Sequence, residues 1–266
     1  MDRAQILGLL CQGCSVAAIS RRCGVGPEAV SALKADGARA AVWYQDRVLR
    51  KLTTRRIRID VLCGFGVRRR RKAESAGPAG KQVDEIWTWT AIDPDSKLIV
   101  AWLVGDRDSE TAEFFIGEVA SRLTDPVTLR AVEDIAFLEA VGDEGGAGFD
   151  EDILARLYGV PEAAAVDAEP LIEAPWGPND RIRVRTPARL TMGRARQVED
   201  HAQGLALSAL HKNFVRVDRV SGLTPAMAAG IVDVPWNLRS IEAVVTLWEN
   251  LKTGPWYERL VVLSGS

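Results

Sequence analysis

The feature that most limits the fold of this chain is a run of alternating residues near its centre. Ile86-Trp-Thr-Trp-Thr-Ala-Ile92 alternates in the manner of a half-buried strand. Asp93-Pro-Asp-Ser96 has the composition of a turn, and an apolar stretch from Lys97 to Val104 follows it. The pattern therefore predicts a β-hairpin in the middle of the chain.

The segments on either side extend the hairpin into an α/β order. Residues 56–62 alternate as a strand and carry Asp60. After the hairpin, Ser109 is predicted to cap a helix that reaches about Leu123 and faces the sheet with Phe114, Phe115, Val119 and Leu123. Val127–Val132 has a strand pattern. The order predicts an α/β fold, with a mixed sheet flanked by helices. A ribonuclease H-like sheet with an acid on its first strand fits, and so do several unrelated α/β folds.

The first fifty residues have the periodicity of helices instead. Ser15 is placed to cap a helix from Val16 to about Cys23, and a second helix is predicted from Pro27 to about Asp36. Gly24 separates the two helices. Two short helices joined by such a turn form a helix-turn-helix, whose second helix enters the major groove of DNA. An ordinary helical hairpin is the alternative.

A helix-turn-helix would give four polar side chains of this segment a role on DNA. Ser31 and Lys34 lie on the predicted outward face of the second helix, and Arg21 and Arg22 end the first helix, where phosphates would pass. The outward face is poor in arginine, asparagine and glutamine, the usual readers of base edges. We therefore expect phosphate contacts more than strong sequence specificity.

The charge of the chain is arranged in blocks, which its net value of −2 conceals. Residues 1–83 have a balance of +11, residues 84–180 of −18 and residues 181–220 of +6. Basic blocks favour a polyanionic partner such as DNA. The acidic block is either solvated or holds cations.

Two further stretches supply cations. The run Arg68-Arg-Arg-Arg-Lys72 is predicted to lie in a loop beside the Asp60 strand, with a solvated linker as the alternative. A long amphipathic helix is predicted from Thr191 to about Val217, with a basic face formed by Arg194, Arg196, Lys212, Arg216 and Arg219. Candidate DNA contacts from these two stretches are Arg68, Arg69, Arg70, Arg71, Lys72, Arg194 and Arg196.

Composition excludes several classes of protein. No apolar run reaches the roughly 18–20 residues of a membrane span, and the N-terminus is too polar for a secretory signal. Four cysteines in 266 residues form no disulfide framework, so a cytoplasmic location is expected. Cys11, Cys14 and Cys23 lack the second close pair or neighbouring histidine of a zinc site, so burial is the favoured interpretation.

Three ordered stretches resemble the transposases of the insertion sequence 1 family. The first runs from Trp87 to Ala112, the second is Leu138-Glu-Ala-Val141, and the third runs from Val198-Glu-Asp-His-Ala202 to Ile231. The segment from Cys11 to Val25 is also similar to the family's helix-turn-helix. Together they cover roughly two-thirds of the chain in order.

The resemblance implies a ribonuclease H-like catalytic domain in which an Asp-Asp-Glu triad binds Mg²⁺. Mg²⁺ prefers carboxylate oxygens, and two such ions clamp the attacking and leaving oxygens of a phosphodiester. The implied partners are DNA terminal repeats and target DNA, with no membrane and with a homodimer left open. The implied domains are a helix-turn-helix domain at 1–52, a catalytic domain at 53–220, and a C-terminal helical segment and tail at 221–266.

The catalytic positions depart from the family pattern. The first acid matches Asp60, but the second position falls on Val132, which cannot bind a metal. Asp134, two residues further along, could substitute if the strand slipped. For the third acid, Glu173 lies beside the matching position, where prolines and a glycine argue against a helix. Asp60, Asp134 and Glu173 are the candidate catalytic and metal-binding residues, and solvated acids are the alternative for the last two.

Three explanations of these departures stay open. The chain is a decayed copy with frameshifted stretches near 61–83 and 160–188, a divergent enzyme that uses the three acids, or a protein that retains DNA binding without the chemistry. The sequence favours the first and third explanations together. The predicted function is a transposase that binds element ends and catalyses Mg²⁺-dependent cleavage and strand transfer, with its activity left open. A catalytically dead DNA-binding remnant is the alternative, and a transcription regulator is less favoured.

Overall fold

The computed structural model describes residues 2–65, 86–124, 128–131 and 192–253. Three helices come first: α1 (Arg3–Cys11), α2 (Val16–Cys23) and α3 (Pro27–Val48). The central elements are β1 (Arg56–Phe65), β2 (Ile86–Ile92), β3 (Ile99–Gly105), α4 (Ser109–Ala120) and β4 (Thr128–Ala131). The last elements are α5 (Met192–Phe214), α6 (Pro225–Ala228) and α7 (Leu238–Thr253).

The four described strands form one mixed sheet in the order β3-β2-β1-β4. β1 pairs antiparallel with β2, and β2 pairs antiparallel with β3, so the predicted hairpin is confirmed. β4 pairs parallel with β1, with Ile59 opposite Ala131. Helices accompany the sheet, and the architecture is therefore the predicted α/β class.

The turn of the hairpin is held by the residues that predicted it. The buried carboxylate of Asp93 accepts hydrogen bonds from the Asp95 amide at 3.0 Å and from the Ser96 hydroxyl at 2.6 Å. The Ser96 hydroxyl in turn accepts from the Leu98 amide at 3.2 Å. Local side-chain bonds of this kind are why Asp and Ser favour turns over regular structure.

The two faces of the sheet are covered by different helices. Trp89 of β2 packs against Phe115 of α4, with ring centroids 5.9 Å apart. The preceding residue, Thr88, forms a hydrogen bond of 2.9 Å with His201 of α5. Because neighbouring residues of a strand point to opposite faces, α4 and α5 lie on opposite sides of the sheet.

Two details of the α4 prediction are wrong. The helix begins at Ser109, but its cap is Asp108, whose side chain accepts from the Thr111 amide at 2.8 Å. Asp and Ser have similar capping preferences, so adjacent candidates are hard to separate from sequence. Phe114 is 51% exposed and does not face the sheet, whereas Phe115 is buried.

The α3 helix extends twelve residues beyond its predicted end at Asp36. Gly37 follows Asp36 and weakens the local helical pattern, yet the helix continues through it because the site is packed. A Cβ atom on Gly37 would lie 3.2 Å from Leu7 of α1, 3.4 Å from Leu207 of α5 and 3.8 Å from Val245 of α7. Gly37 therefore marks the place where three other helices meet α3.

The described helices from both ends of the chain share a hydrophobic core with the sheet. The predicted boundaries at residues 52 and 220 stay predictions, but α1 and α3 pack against α7 and against α5. Within the described ranges, no helix combines the length and the apolar composition needed to cross a membrane.

A buried arginine joins the end of α3 to α4. The Arg122 side chain is 2% exposed and forms ion pairs with Asp46 of α3 and Glu118 of α4. Its guanidinium also donates to the carbonyls of Gln45 and Leu49, both at 3.5 Å. The Gln45 carbonyl also accepts from the Leu49 amide at 2.8 Å, so Arg122 adds a second bond there and supplies a partner for the Leu49 carbonyl at the C-cap of α3.

Candidate functional site

Asp60 lies in the middle of β1, the strand between β2 and β4. Its partner on β2 is Thr90, whose hydroxyl donates to the Asp60 carbonyl at 3.4 Å. The Asp60 carboxylate is 3.0 Å from the Arg58 guanidinium. The two residues are two apart in a strand, so their side chains share a face. The first predicted catalytic acid is therefore engaged in an ion pair.

Lys212 of α5 approaches the same ion pair from the covering helix. Burial lowers the pKa of the Lys212 ammonium, as do the positive charges of Arg216 and Arg58, whereas Asp60 raises it. Lys212 therefore lies within electrostatic range of the other three side chains. We call Arg58, Asp60, Lys212 and Arg216 the Asp60 cluster; it contains three cations and one carboxylate.

The other candidate acids are not placed beside Asp60. Asp134 and Glu173 lie outside the described residues, as does Val132. The described part of β4 contains no acid, and its Arg130 is the pairing partner of Arg58. Among the described residues, no group of three or more cysteine, histidine or acidic side chains is arranged to hold a metal ion.

The Asp60 cluster does not suit the Mg²⁺ that the resemblance implies. A divalent cation needs several hard oxygen donors with net negative charge. Asp60 supplies one carboxylate, and Arg58 already forms an ion pair with it. Lys212 and Arg216 add positive charge close by. Asp60 and its described neighbours therefore do not fit a magnesium site.

The two helices and the turn predicted near the N-terminus are confirmed. The Ser15 hydroxyl caps α2 by accepting from the Ala18 amide at 3.3 Å. Gly24 ends α2 in the left-handed region, with φ of 65°, which favours glycine. Ile19 of α2 and Val30 of α3 are buried, and the two helices pack together. The geometry is that of two helices joined by a tight turn.

Three of the four side chains predicted to approach DNA from this segment are exposed. Arg21 and Arg22 lie in the last turn of α2, and neither forms an ion pair with another described residue. Ser31 is exposed on the first part of α3. The exposed arginines leave positive charge available at the corner between α2 and α3.

The outward position predicted for Lys34 is wrong. Its side chain is 12% exposed, and its ammonium binds both the carboxylate and the carbonyl of Asp200, the latter at 3.0 Å. Asp200 lies on α5, which packs against α3. Because the two residues are 166 positions apart, no local pattern could indicate this contact.

The structure describes only some of the remaining candidate DNA contacts. Arg196 is exposed on α5, one turn before Asp200. Arg194 lies on the same helix, but its side chain is outside the described part. The candidates that lie outside the described residues altogether are Arg68, Arg69, Arg70, Arg71 and Lys72.

Sequence reasoning missed the partners of Asp60. The alternation of residues 56–62 already places Arg58 and Asp60 on one face, so their ion pair could have been predicted from the strand pattern. Lys212 and Arg216 were part of a basic helical face, but nothing local connects that face to Asp60. Their placement depends on the packing of α5 against the sheet.

The surroundings of His201 and Cys11 indicate roles in packing and hydrogen bonding rather than in catalysis. Burial lowers the pKa of His201, and its ring nitrogen is bound to the Thr88 hydroxyl. Burial raises the pKa of the Cys11 thiol to about 12, so Cys11 is neutral at physiological pH. Neither residue has the properties of a nucleophile or a free general base at pH 7.

No family model, curated protein or solved structure matches this chain. The functional argument therefore depends on the contacts, charges and topology described above. Two features matter most, namely the exposed arginines at the α2–α3 corner and the basic surroundings of Asp60.

Proposed function

We propose that this protein binds DNA through the α2–α3 helices and descends from an insertion-sequence transposase. The observation that supports DNA binding is the pair of exposed arginines, Arg21 and Arg22, at the end of the first helix of a helix-turn-helix. Phosphates pass the first helix in such complexes, and exposed arginines neutralise them.

The topology of the sheet supports the transposase descent. The order β3-β2-β1-β4, with two antiparallel pairs and β4 parallel to β1, suits a ribonuclease H-like core. The acid-bearing strand β1 occupies an interior position, and helices cover both faces. This inference is one of fold, and fold alone does not establish a reaction.

Cleavage and strand transfer of DNA are the second candidate function. The position of Asp60 on β1, next to the parallel strand β4, favours it. The cations around Asp60 count against it, because they would repel the metal ion that such chemistry requires. We therefore favour a protein that binds element ends without cutting them.

Salt-dependent binding tests the first proposal. Fluorescence anisotropy with terminal-repeat and arbitrary duplexes would give log Kd against log salt for the wild type, Arg22→Gln and Arg239→Gln. Loss of one phosphate contact reduces the magnitude of the salt slope by about 0.9. We expect that reduction for Arg22→Gln and no change for Arg239→Gln, an exposed cation on α7. Equal slopes in all three proteins would refute the assigned binding surface.

A nicking assay separates binding from catalysis. The wild type and Asp60→Ala would be incubated with supercoiled DNA carrying candidate terminal repeats, in Mg²⁺ or Mn²⁺. Salt-sensitive binding without nicking supports the proposed function. Nicking by the wild type that Asp60→Ala abolishes would establish the enzyme instead, whereas a wild type that binds no duplex at any salt concentration would exclude both functions.

A further inference from the structure

The charge of the Asp60 cluster is the opposite of what a metal site requires, and it suits an anion. We propose that the cluster binds a phosphate group of DNA directly, with Asp60 as the counterion that orients Arg58 rather than as a metal ligand. The proposal deepens the proposed function, since it assigns a second DNA contact on the sheet face, away from the α2–α3 corner.

The exposure of the ion pair places Arg58 outside Asp60. The Arg58 side chain is 44% exposed and that of Asp60 is 21% exposed, so the guanidinium reaches solvent above the carboxylate. A guanidinium has five N–H donors, and an ion pair with one carboxylate leaves some of them available. Arg58 can therefore hold Asp60 and a phosphate oxygen at the same time.

Lys212 lies near the end of α5, and Arg216 follows two residues after that end, on a well-anchored segment. Asn213, next to Lys212, is fully buried and bonds both backbone groups of Ile99 on β3 at 2.9 Å. The Arg216 amide donates to the His211 carbonyl at 3.0 Å, which ties Arg216 to the last turn of α5. A fixed backbone holds the Cα positions of these residues in place, so that binding an anion has to order only their side chains.

An incoming anion would relieve an unfavourable arrangement. Lys212 is partly desolvated and near Arg58 and Arg216, and these effects lower its pKa against the single opposing charge of Asp60. A phosphate would add the missing negative charge. The three cations would then face two anionic groups, which is closer to balance than three against one.

The decisive variant is Asp60→Asn, because its effect on DNA binding depends on whether a phosphate is bound beside Asp60. Binding of an arbitrary duplex would be measured with EDTA present, so that no divalent metal contributes. Removing the carboxylate removes its repulsion of the phosphate, and we expect Kd to fall about fivefold at low salt, the factor equivalent to roughly 1 kcal/mol between unit charges 4 Å apart in water. A carboxylate with no bound phosphate beside it would show no change under these conditions.

Matched variants complete the test. Lys212→Gln is expected to raise Kd and to reduce the magnitude of the salt slope by about 0.9. Asp233→Asn, at an exposed acid outside the cluster, is the control for Asp60→Asn and should leave Kd unchanged. Circular dichroism and melting temperature would verify folding, and if Asp60→Asn does not fold, Arg58→Gln and Lys212→Gln decide the result.

The outcomes separate this proposal from the proposed function. If Arg22→Gln weakens binding while Asp60→Asn matches Asp233→Asn, the α2–α3 surface stands and the phosphate site is overturned. If the wild type binds no duplex, the proposed function fails, and thermal shifts with inorganic pyrophosphate decide the cluster. Stabilisation by pyrophosphate that grows in Asp60→Asn and shrinks in Lys212→Gln would support an anion site, and equal shifts in all proteins would refute it.

Discussion

Replacing Asn213 by alanine would remove the contact that joins α5, β3 and α3. The Asn213 side chain donates to the Ile99 carbonyl at 2.9 Å and to the Gln45 side-chain oxygen at 3.1 Å, and it accepts from the Ile99 amide at 2.9 Å. Both Asn213 and Gln45 are buried. The substitution therefore leaves three polar groups without these partners inside the protein.

The expected loss in the free energy of unfolding follows from the number of hydrogen bonds that Asn213→Ala removes. Each buried hydrogen bond between neutral groups contributes about 1 kcal/mol, and an unsatisfied buried partner costs about 1–3 kcal/mol. Three bonds to two backbone groups and one amide give an expected loss of about 3–4 kcal/mol in the free energy of unfolding. This loss is a large share of the roughly 5–15 kcal/mol that stabilises a typical domain.

Urea denaturation followed by tryptophan fluorescence would measure this loss, with Gln197→Ala on the exposed surface of α5 as the control. We expect the midpoint of Asn213→Ala to fall with little change in the m-value, because the surface exposed on unfolding is similar. Hydrogen exchange at the Ile99 amide should also accelerate. A loss no larger than that of Gln197→Ala, with unchanged exchange at Ile99, would refute the bridging role of Asn213.

Three other predictions concern pH, backbone and thiol chemistry. Burial lowers the pKa of His201 and His211, so the unfolded chain binds protons at a higher pH than the folded chain does. Their contribution to stability is complete above about pH 6.5 and is lost as pH falls toward the lowered pKa values. Urea titrations at pH 7.5 and 5.5 should therefore show a smaller loss of stability with falling pH in His201→Gln/His211→Gln than in the wild type. Gly24→Ala should destabilise the protein by about 1–2 kcal/mol, because φ at Gly24 is 65°. Gly204→Ala should stabilise it by about 0.5–1 kcal/mol, because Gly204 lies in a helix with open space at its Cβ position. Changes in melting temperature of the same sign for both variants would contradict this account. Cys11 should react with iodoacetamide at pH 7.5 more slowly than Cys14 or Cys23, since burial raises its pKa to about 12, and peptide mass spectrometry showing Cys11 labelled first would be inconsistent with that burial.

Local chemistry made much of the fold predictable. Ser15, Gly24 and Asp93 each act on residues within a few positions of themselves, and the caps and turn they predict are present. The strand from Ile86 to Ile92 has the bounds that its alternation indicates. The end of α3 could not be predicted in the same way, because packing of distant helices around Gly37 outweighs its weak helix propensity.

The candidate site was less predictable because its character depends on contacts across the chain. Asp60 was found from the strand pattern and the family resemblance, and the resemblance implies a metal ligand. Lys212 lies 152 positions away and changes the electrostatic surroundings of that acid. Lys34 shows the same limit, since a basic side chain expected on DNA is bound to Asp200 of α5 instead. In both cases the residue type suggested a role, whereas neighbours from distant parts of the chain set the local charge on which that role depends.

The length of α3 connects the proposed DNA-binding corner to the sheet. The helix spans about 33 Å, from the turn beside Arg22 to the carbonyls held by Arg122. Its inner residues belong to the same hydrophobic core as β1, β2 and β3. A duplex bound at one end of α3 should therefore raise the melting temperature of the entire described core, by an amount set by its concentration relative to Kd. Because α3 is one continuous helix, DNA binding at the α2–α3 corner and unfolding of the sheet would be coupled in a single cooperative transition.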